Sequence, residues 1–236
     1  IAPATPSTPT RPSGPAHTEF ERAGPHRDLH SGLYGGSVAN PINSLARMIS
    51  NLHDENNRIT IPGFYDDVIE YSDEERKKDG LVPFDINEFK NSLEINDVHG
   101  EKSYTTLERK SIRPCLDVNG IWGGYTDEGS KTVIPSKAFA KISMRLVSNQ
   151  NWKKISKLFK DYMKKMTPIG MKLKVNEHHG GGEPYITDTD SKAYLAASEA
   201  YNSVYNKKPF SVKDGGSIPI IAPVSYTHLR AHETSP

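Results

Sequence analysis

Residues 137–147 alternate so regularly that they fit only an extended backbone. Ala138, Ala140, Ile142, Met144 and Leu146 fall on one side, and Phe139, Lys141, Ser143, Arg145 and Val147 on the other. A strand with one apolar face needs that face covered, and the next segment supplies a cover. Residues 151–166 place Trp152, Ile155, Phe159, Tyr162 and Met166 at helical spacing. Pro168 and Gly170 stop that helix, and Met171, Leu173 and Val175 then alternate with Lys172 and Lys174 as a further strand.

The same pattern recurs upstream. Residues 17–23 read as a short strand ended by Gly24-Pro25. Asn40-Pro41 is a strong helix start, because Asn caps free N–H groups and Pro suits the first helical position. Ile42, Leu45, Ile49 and Leu52 follow at helical spacing, with an expected end within residues 53–57. The order strand, helix, strand, helix, strand predicts an α+β fold: an antiparallel sheet with helices on one face. Residues 58–130 read as a long, mostly irregular insertion with a short helix at 85–93. Its aromatic, Gly-rich piece at 120–125 is expected to lie against something large, and insertions of this length are often functional. After Gly180-Gly181-Gly182 the character shifts to a helix at 191–205, a short strand at 209–212 and a strand-to-helix turn at Gly215-Gly216-Ser217-Ile218-Pro219. A domain boundary is placed near Gly182.

Composition narrows the function classes. The 236 residues are 35% hydrophobic and 25% charged with a net charge of +1, which fits a soluble globular chain and gives no nucleic-acid footprint. No apolar run approaches the roughly 20 residues that span a bilayer, so no membrane partner is expected. The only cysteine, Cys115, cannot form an internal disulfide, which suits a cytoplasmic setting. Residues 1–16 carry five of the seventeen prolines and read as disordered or foreign. The chain opens on Ile1 rather than Met, so the native start is expected to lie upstream.

Three segments in order carry a resemblance. They are Asp28-Leu29-His30-Ser31-Gly32 with Tyr34-Gly35-Gly36; Lys131-Thr132-Val133-Ile134-Pro135 with Ser143-Met144-Arg145-Leu146-Val147; and Gly215-Gly216-Ser217-Ile218-Pro219. Together, with the long insertion between the first two, they resemble metallopeptidase family M-twenty, of the dipeptidase, carnosinase and aminoacylase type. The resemblance covers residues 18–222. It implies a ferredoxin-like lid domain that forms homodimers, at 17–182 with the insertion at 58–130. It also implies the start of the returning half of an α/β zinc-exopeptidase catalytic domain, at 183–223. Two zinc ions and a small peptide substrate are implied for the parent enzyme. The family's first zinc-binding His, bridging Asp, catalytic Glu and two further ligands lie upstream of the lid, and its last zinc-binding His downstream of the Gly-Gly-Ser turn. The fragment alone is therefore expected to be inactive, and the rival reading is a non-catalytic homodimerisation module. Residues 224–236 depart from the family and read as a translated adapter, so the His228 and His232 spacing is not read as a metal pair.

Six residues emerge as candidates. Peptide hydrolysis builds negative charge on the carbonyl oxygen, and a positioned N–H donor stabilises it. By resemblance His30 is that donor, reaching into the partner subunit's site; otherwise it is a surface His in a Gly-rich turn. Thr132 either hydrogen-bonds the substrate in that same site or is an ordinary strand-edge residue. Arg145 either holds a substrate carboxylate through two parallel hydrogen bonds or is a solvated strand Arg. Gly215, Gly216 and Ser217 open a helix where backbone N–H groups can approach an anion, and by resemblance Ser217 contacts the substrate carboxylate. Asp214 beside them alters the expected local charge. His178 and His179 are adjacent on a strand and point to opposite faces, so they are read as structural. Trp152, Tyr162 and Tyr201 are expected in the core.

Overall fold

The computed structural model describes residues 7–9, 14–178 and 188–212. The strands are β1 (Ser7–Pro9), β2 (Gly14–Ala23), β3 (Leu29–His30), β4 (Cys115–Gly123), β5 (Val133–Ile134), β6 (Lys137–Leu146), β7 (Lys172–His178) and β8 (Phe210–Val212). The helices are α1 (Ser31–Tyr34), α2 (Pro41–Ser50), α3 (Asp73–Asp79), α4 (Ile86–Ser92), α5 (Thr106–Ser111), α6 (Trp152–Lys165) and α7 (Lys192–Tyr205). β2, β4, β6 and β7 form one sheet in the order β4-β6-β2-β7, and every neighbouring pair is antiparallel. Two short pairs stand outside it: β1 beside β8, parallel, and β3 against β5, antiparallel.

The core lies where the alternation in β6 demands it. Ala138, Ala140, Ile142, Met144 and Leu146 are all at most 1% exposed. Over them pack Leu45, Met48 and Leu52 from α2 and its C-terminal end, and Ile155, Phe159 and Met163 from α6. Both helices therefore cover the same face of the sheet. Each starts where a side chain takes up free N–H groups. Asn40 Oδ1 accepts from Ile42 at 2.9 Å, and Asn151 Oδ1 accepts from Lys153 and Lys154 at 3.0 and 3.1 Å. Each cap contributes about 1 kcal/mol.

The insertion holds more regular structure than its composition suggests. Two helices absent from the sequence reading, α3 and α5, both begin with reciprocal caps, Ser72 with Glu75 and Thr105 with Glu108. Its last part is β4, an edge strand of the main sheet, so the insertion ends before residue 115 rather than at 130. β4 escaped notice because a register shift between Val118 and Gly120 breaks the period of two. Its Trp122 stacks on Phe139 of β6, with ring centroids 5.2 Å apart and 8° between planes, but Ile121, Trp122 and Tyr125 stay 53%, 42% and 38% exposed, so 120–125 does not lie against anything large among the described residues. A buried ion cluster fastens the insertion. Arg113 Nε and Nη2 each lie 2.8 Å from an oxygen of Glu101, and Arg58 Nη1 reaches the same carboxylate at 3.0 Å.

Smaller departures have local causes. β2 begins at Gly14, three residues before the expected start, because its ladder with β6 continues to Gly14↔Leu146. α2 ends at Ser50, before the expected residues 53–57. Met163, not named in the sequence stripe, is fully buried in the last turn of α6, while Trp152 and Tyr162 sit at the rim of the core. Tyr201 is not a core residue: it is 38% exposed on α7 and stacks on Tyr205. Among the described residues no helix is long and apolar enough to cross a membrane.

Candidate functional site

The first two motifs are far apart in sequence and meet in space. β3 pairs with β5 in the register Leu29↔Ile134 and His30↔Val133. Three bonds extend this clasp. Ser31 N–H donates to Thr132 O at 3.1 Å, Ser136 N–H donates to Asp28 Oδ1 at 2.7 Å, and Gly24 N–H donates to Ser136 O at 2.7 Å. Ile134 is buried and anchors one side; the other side ends in solvent at His30 and Thr132. The bond from Ser136 N–H, helped by the Ser136 hydroxyl and Lys131, holds the Asp28 carboxyl below the usual aspartate range.

His30 is the N-cap of α1. Its Nδ1 accepts Gly32 N–H at 3.0 Å, and its Nε2 lies 3.2 Å from Thr132 Oγ1. The structure thus brings together two of the six candidates and sets them on the surface beside exposed Leu33 and half-exposed Tyr34. Sequence reasoning quoted Asp28 and Gly32 within the motif but gave neither a task. The signal for Asp28 was weak, since its partner is a backbone N–H 108 residues away.

Arg145 is elsewhere. It lies on the face of β6 turned away from the helices, partly buried, opposite Cys115 of β4. Counted along β6 from Lys137, the end that adjoins the clasp, it is eight residues away, or about 27 Å of strand. One copy of the chain therefore does not bring Arg145 to His30 and Thr132. Beside it, Cys115 S–H donates to Asp117 at 3.5 Å, and burial together with the Asp117 charge pushes the thiol up to about 12. Gly215, Gly216 and Ser217 lie outside the described residues, as do His179 and residues 224–236.

The donor chemistry does not suit a metal. Among the described residues there is no group of three or more His, Cys, Asp or Glu side chains that could hold an ion. The clasp offers one imidazole, one hydroxyl and one carboxylate already bonded to a backbone N–H. What it can do chemically is present hydrogen bonds to an oxygen of a ligand.

Comparison with known proteins gives a consistent set. A family model described as a peptidase dimerisation domain matches residues 20–171. The Cys-Gly metallodipeptidase of Candida albicans is 33% identical over 207 residues, covering 84% of this chain and 41% of that protein. The human Beta-Ala-His dipeptidase is 31% identical over 203 residues, covering 82% of this chain and 39% of that protein. Among solved structures, a metallo-carboxypeptidase from Sulfolobus solfataricus superposes with a TM-score of 0.80 at 32% identity, over 94% of this chain and 50% of that one. The chain spans about two fifths of the length of the curated relatives it matches.

Proposed function

The chain belongs to peptidase family M-twenty through the dimerisation domain at residues 20–171, and from that membership we propose that it is the lid of a homodimeric dizinc dipeptidase. The reaction is hydrolysis of dipeptides or N-acyl amino acids. In this reading the two zinc ions, which activate water and polarise the carbonyl, are held by parts of the protein outside the described residues. His30 and Thr132 donate hydrogen bonds into the active site of the partner subunit. Arg145, with Gly215, Gly216 and Ser217, holds the substrate carboxylate in the chain's own subunit. The sheet order β4-β6-β2-β7, with α2 and α6 on one face, supports a ferredoxin-like description of the lid. The lone Cys115 suits a cytoplasmic setting.

The observation that carries this reading is the division of candidates between the two ends of β6. His30 and Thr132 are paired at its start, and Arg145 lies about 27 Å along it. A dipeptide is far shorter than that, so both ends can serve one substrate only when they come from different copies.

The test uses the longer reading frame that contains this chain. The purified protein is expected to hydrolyse Cys-Gly or Beta-Ala-His, to lose activity on chelation and to regain it with zinc. His30→Ala is expected to lower kcat roughly a hundredfold with a smaller effect on KM, as for a donor acting on the transition state. A metal-loaded dimer that cleaves no dipeptide, or a His30→Ala variant with unchanged kcat, overturns the reading. The rival is a dimerisation module without catalysis, in which one sheet edge and one helix form the interface. It predicts a dimer whose longer form binds no zinc.

A further inference from the structure

We propose that Asp117 sets a charge preference at the C-terminal residue of the substrate, so that dipeptides ending in a cationic side chain are cleaved in preference to those ending in an acidic one. This deepens the functional reading above and rests on it for Arg145 as the holder of the substrate carboxylate.

The placement follows from the ladder between β4 and β6. Cys115 lies directly opposite Arg145, and Asp117 lies opposite Ser143. The register shift comes only after Val118, so residues 115–117 keep the period of two, and Cys115 and Asp117 share one face of β4. Residues directly opposite in a ladder point the same way, so that face is the one on which Arg145 stands. The Cys115 S–H donates to Asp117 Oδ2 at 3.5 Å, which agrees with the shared face. Asp117 is therefore a diagonal neighbour of Arg145, about 7–8 Å from it between backbones.

The groups around Asp117 leave its charge uncompensated. Asp117 is exposed and forms no ion pair among the described residues. Lys141, the next cation along that face of β6, holds its Nζ 5.7 Å over the Trp122 ring. The thiol of Cys115, pushed up to about 12 by burial and by the Asp117 charge, is neutral at neutral pH. Burial holds the His53 imidazole below its ordinary value although the Asp117 charge pulls it up, so that ring is neutral as well.

A substrate held by its carboxylate turns this charge into selectivity. The C-terminal side chain branches from the carbon bonded to that carboxylate, so it stays in the neighbourhood of Arg145 and Asp117. At about 8 Å and an effective dielectric of about 30, a unit charge favours an opposite charge roughly tenfold and disfavours a like charge by the same factor. Salt screens part of the effect, since about 8 Å is one Debye length at physiological ionic strength.

The test uses the longer reading frame and three dipeptides, Ala-Lys, Ala-Ala and Ala-Glu, at low ionic strength. The ratio of kcat/KM for Ala-Lys to that for Ala-Glu is expected to exceed one and to fall about tenfold or more in Asp117→Asn. Asp117→Lys is expected to invert it. Ala-Ala is the internal standard: a merely structural role for Asp117 moves all three substrates together, whereas a charge moves Ala-Lys and Ala-Glu in opposite directions about Ala-Ala. A ratio that changes less than about threefold, or three rates that fall in parallel, overturns the proposal. Where neither variant folds, the native enzyme decides: its ratio is expected to shrink as sodium chloride is added, and a ratio indifferent to salt overturns the proposal. A longer protein that cleaves no dipeptide refutes the functional reading, and the proposal falls with it. An active enzyme that depends on Arg145 but not on the charge at 117 refutes the proposal alone.

Discussion

Asp28 shows how much one short bond can organise. Its oxygen and the Ser136 N–H lie 2.7 Å apart across two segments that sequence distance would never pair. The bond favours the charged carboxylate, so the folded value lies below the ordinary 3.8. The sign of the pH effect follows. The stabilisation is fully present above 3.8 and is lost as pH falls through the lowered folded value. Titration of the Asp28 carboxyl carbon by NMR is expected to give a midpoint below 3.8, and Ser136→Pro, which removes the N–H, is expected to bring it back up. A midpoint at or above the ordinary value would show that the clasp does not hold in solution. At this scale the sequence was only partly legible. His30 and Thr132 could be singled out from motifs, but their contact depends on a backbone register that no residue type announces.

At the scale of elements, the ion cluster in the insertion has two unequal arms. Glu101 is met by Arg113, whose side chain is 3% exposed, and by Arg58, whose side chain is 44% exposed. Burial alone would weaken the Arg113 base, but the two bonds and the charge of Glu101 hold it above the ordinary arginine value. Removing the carboxylate leaves buried Arg113 only the exposed carboxylate of Glu70, 3.2 Å from its Nη1, so Glu101→Gln is expected to cost about 3 kcal/mol in urea unfolding. Arg58→Ala removes the solvated arm and is expected to cost less than about 1 kcal/mol. Equal costs would mean that burial is not what gives the cluster its weight. The legibility of elements divides along similar lines. β6 and α6 were plain, because a buried face imposes its period on the residues. α3 and α5 carry no buried stripe and were visible only in their caps, Ser72 with Glu75 and Thr105 with Glu108. β4 lies at a sheet edge with one face open, so Asp117 and Asn119 cost it nothing and hide its alternation.

For the whole molecule, the sequence conveyed the fold class and the family but not the separation of the candidate residues between the two ends of β6. That separation depends on the length of β6 and on the clasp at its start, both products of three-dimensional assembly. The described residues supply donors for oxygen and no metal cluster. The chain alone is accordingly expected to retain less than one zinc per copy after dialysis, and tight stoichiometric retention would show that donors outside the described residues complete a site.

The length of β6 also carries a genetic consequence. Covalent geometry sets the gap between Arg145 and the His30 loop, and no loop motion within one copy can close it. Under the dimeric reading, two defective alleles, one with Arg145→Ala and one with His30→Ala, each encode an inactive homodimer. Co-expressed, they form mixed dimers in which one site receives Arg145 from the His30→Ala subunit and His30 from the Arg145→Ala subunit. With random pairing about half of the dimers are mixed, each with one working site of two, so a cell carrying both alleles is expected to recover roughly a quarter of normal activity. Two alleles damaged at the same end of the strand recover none.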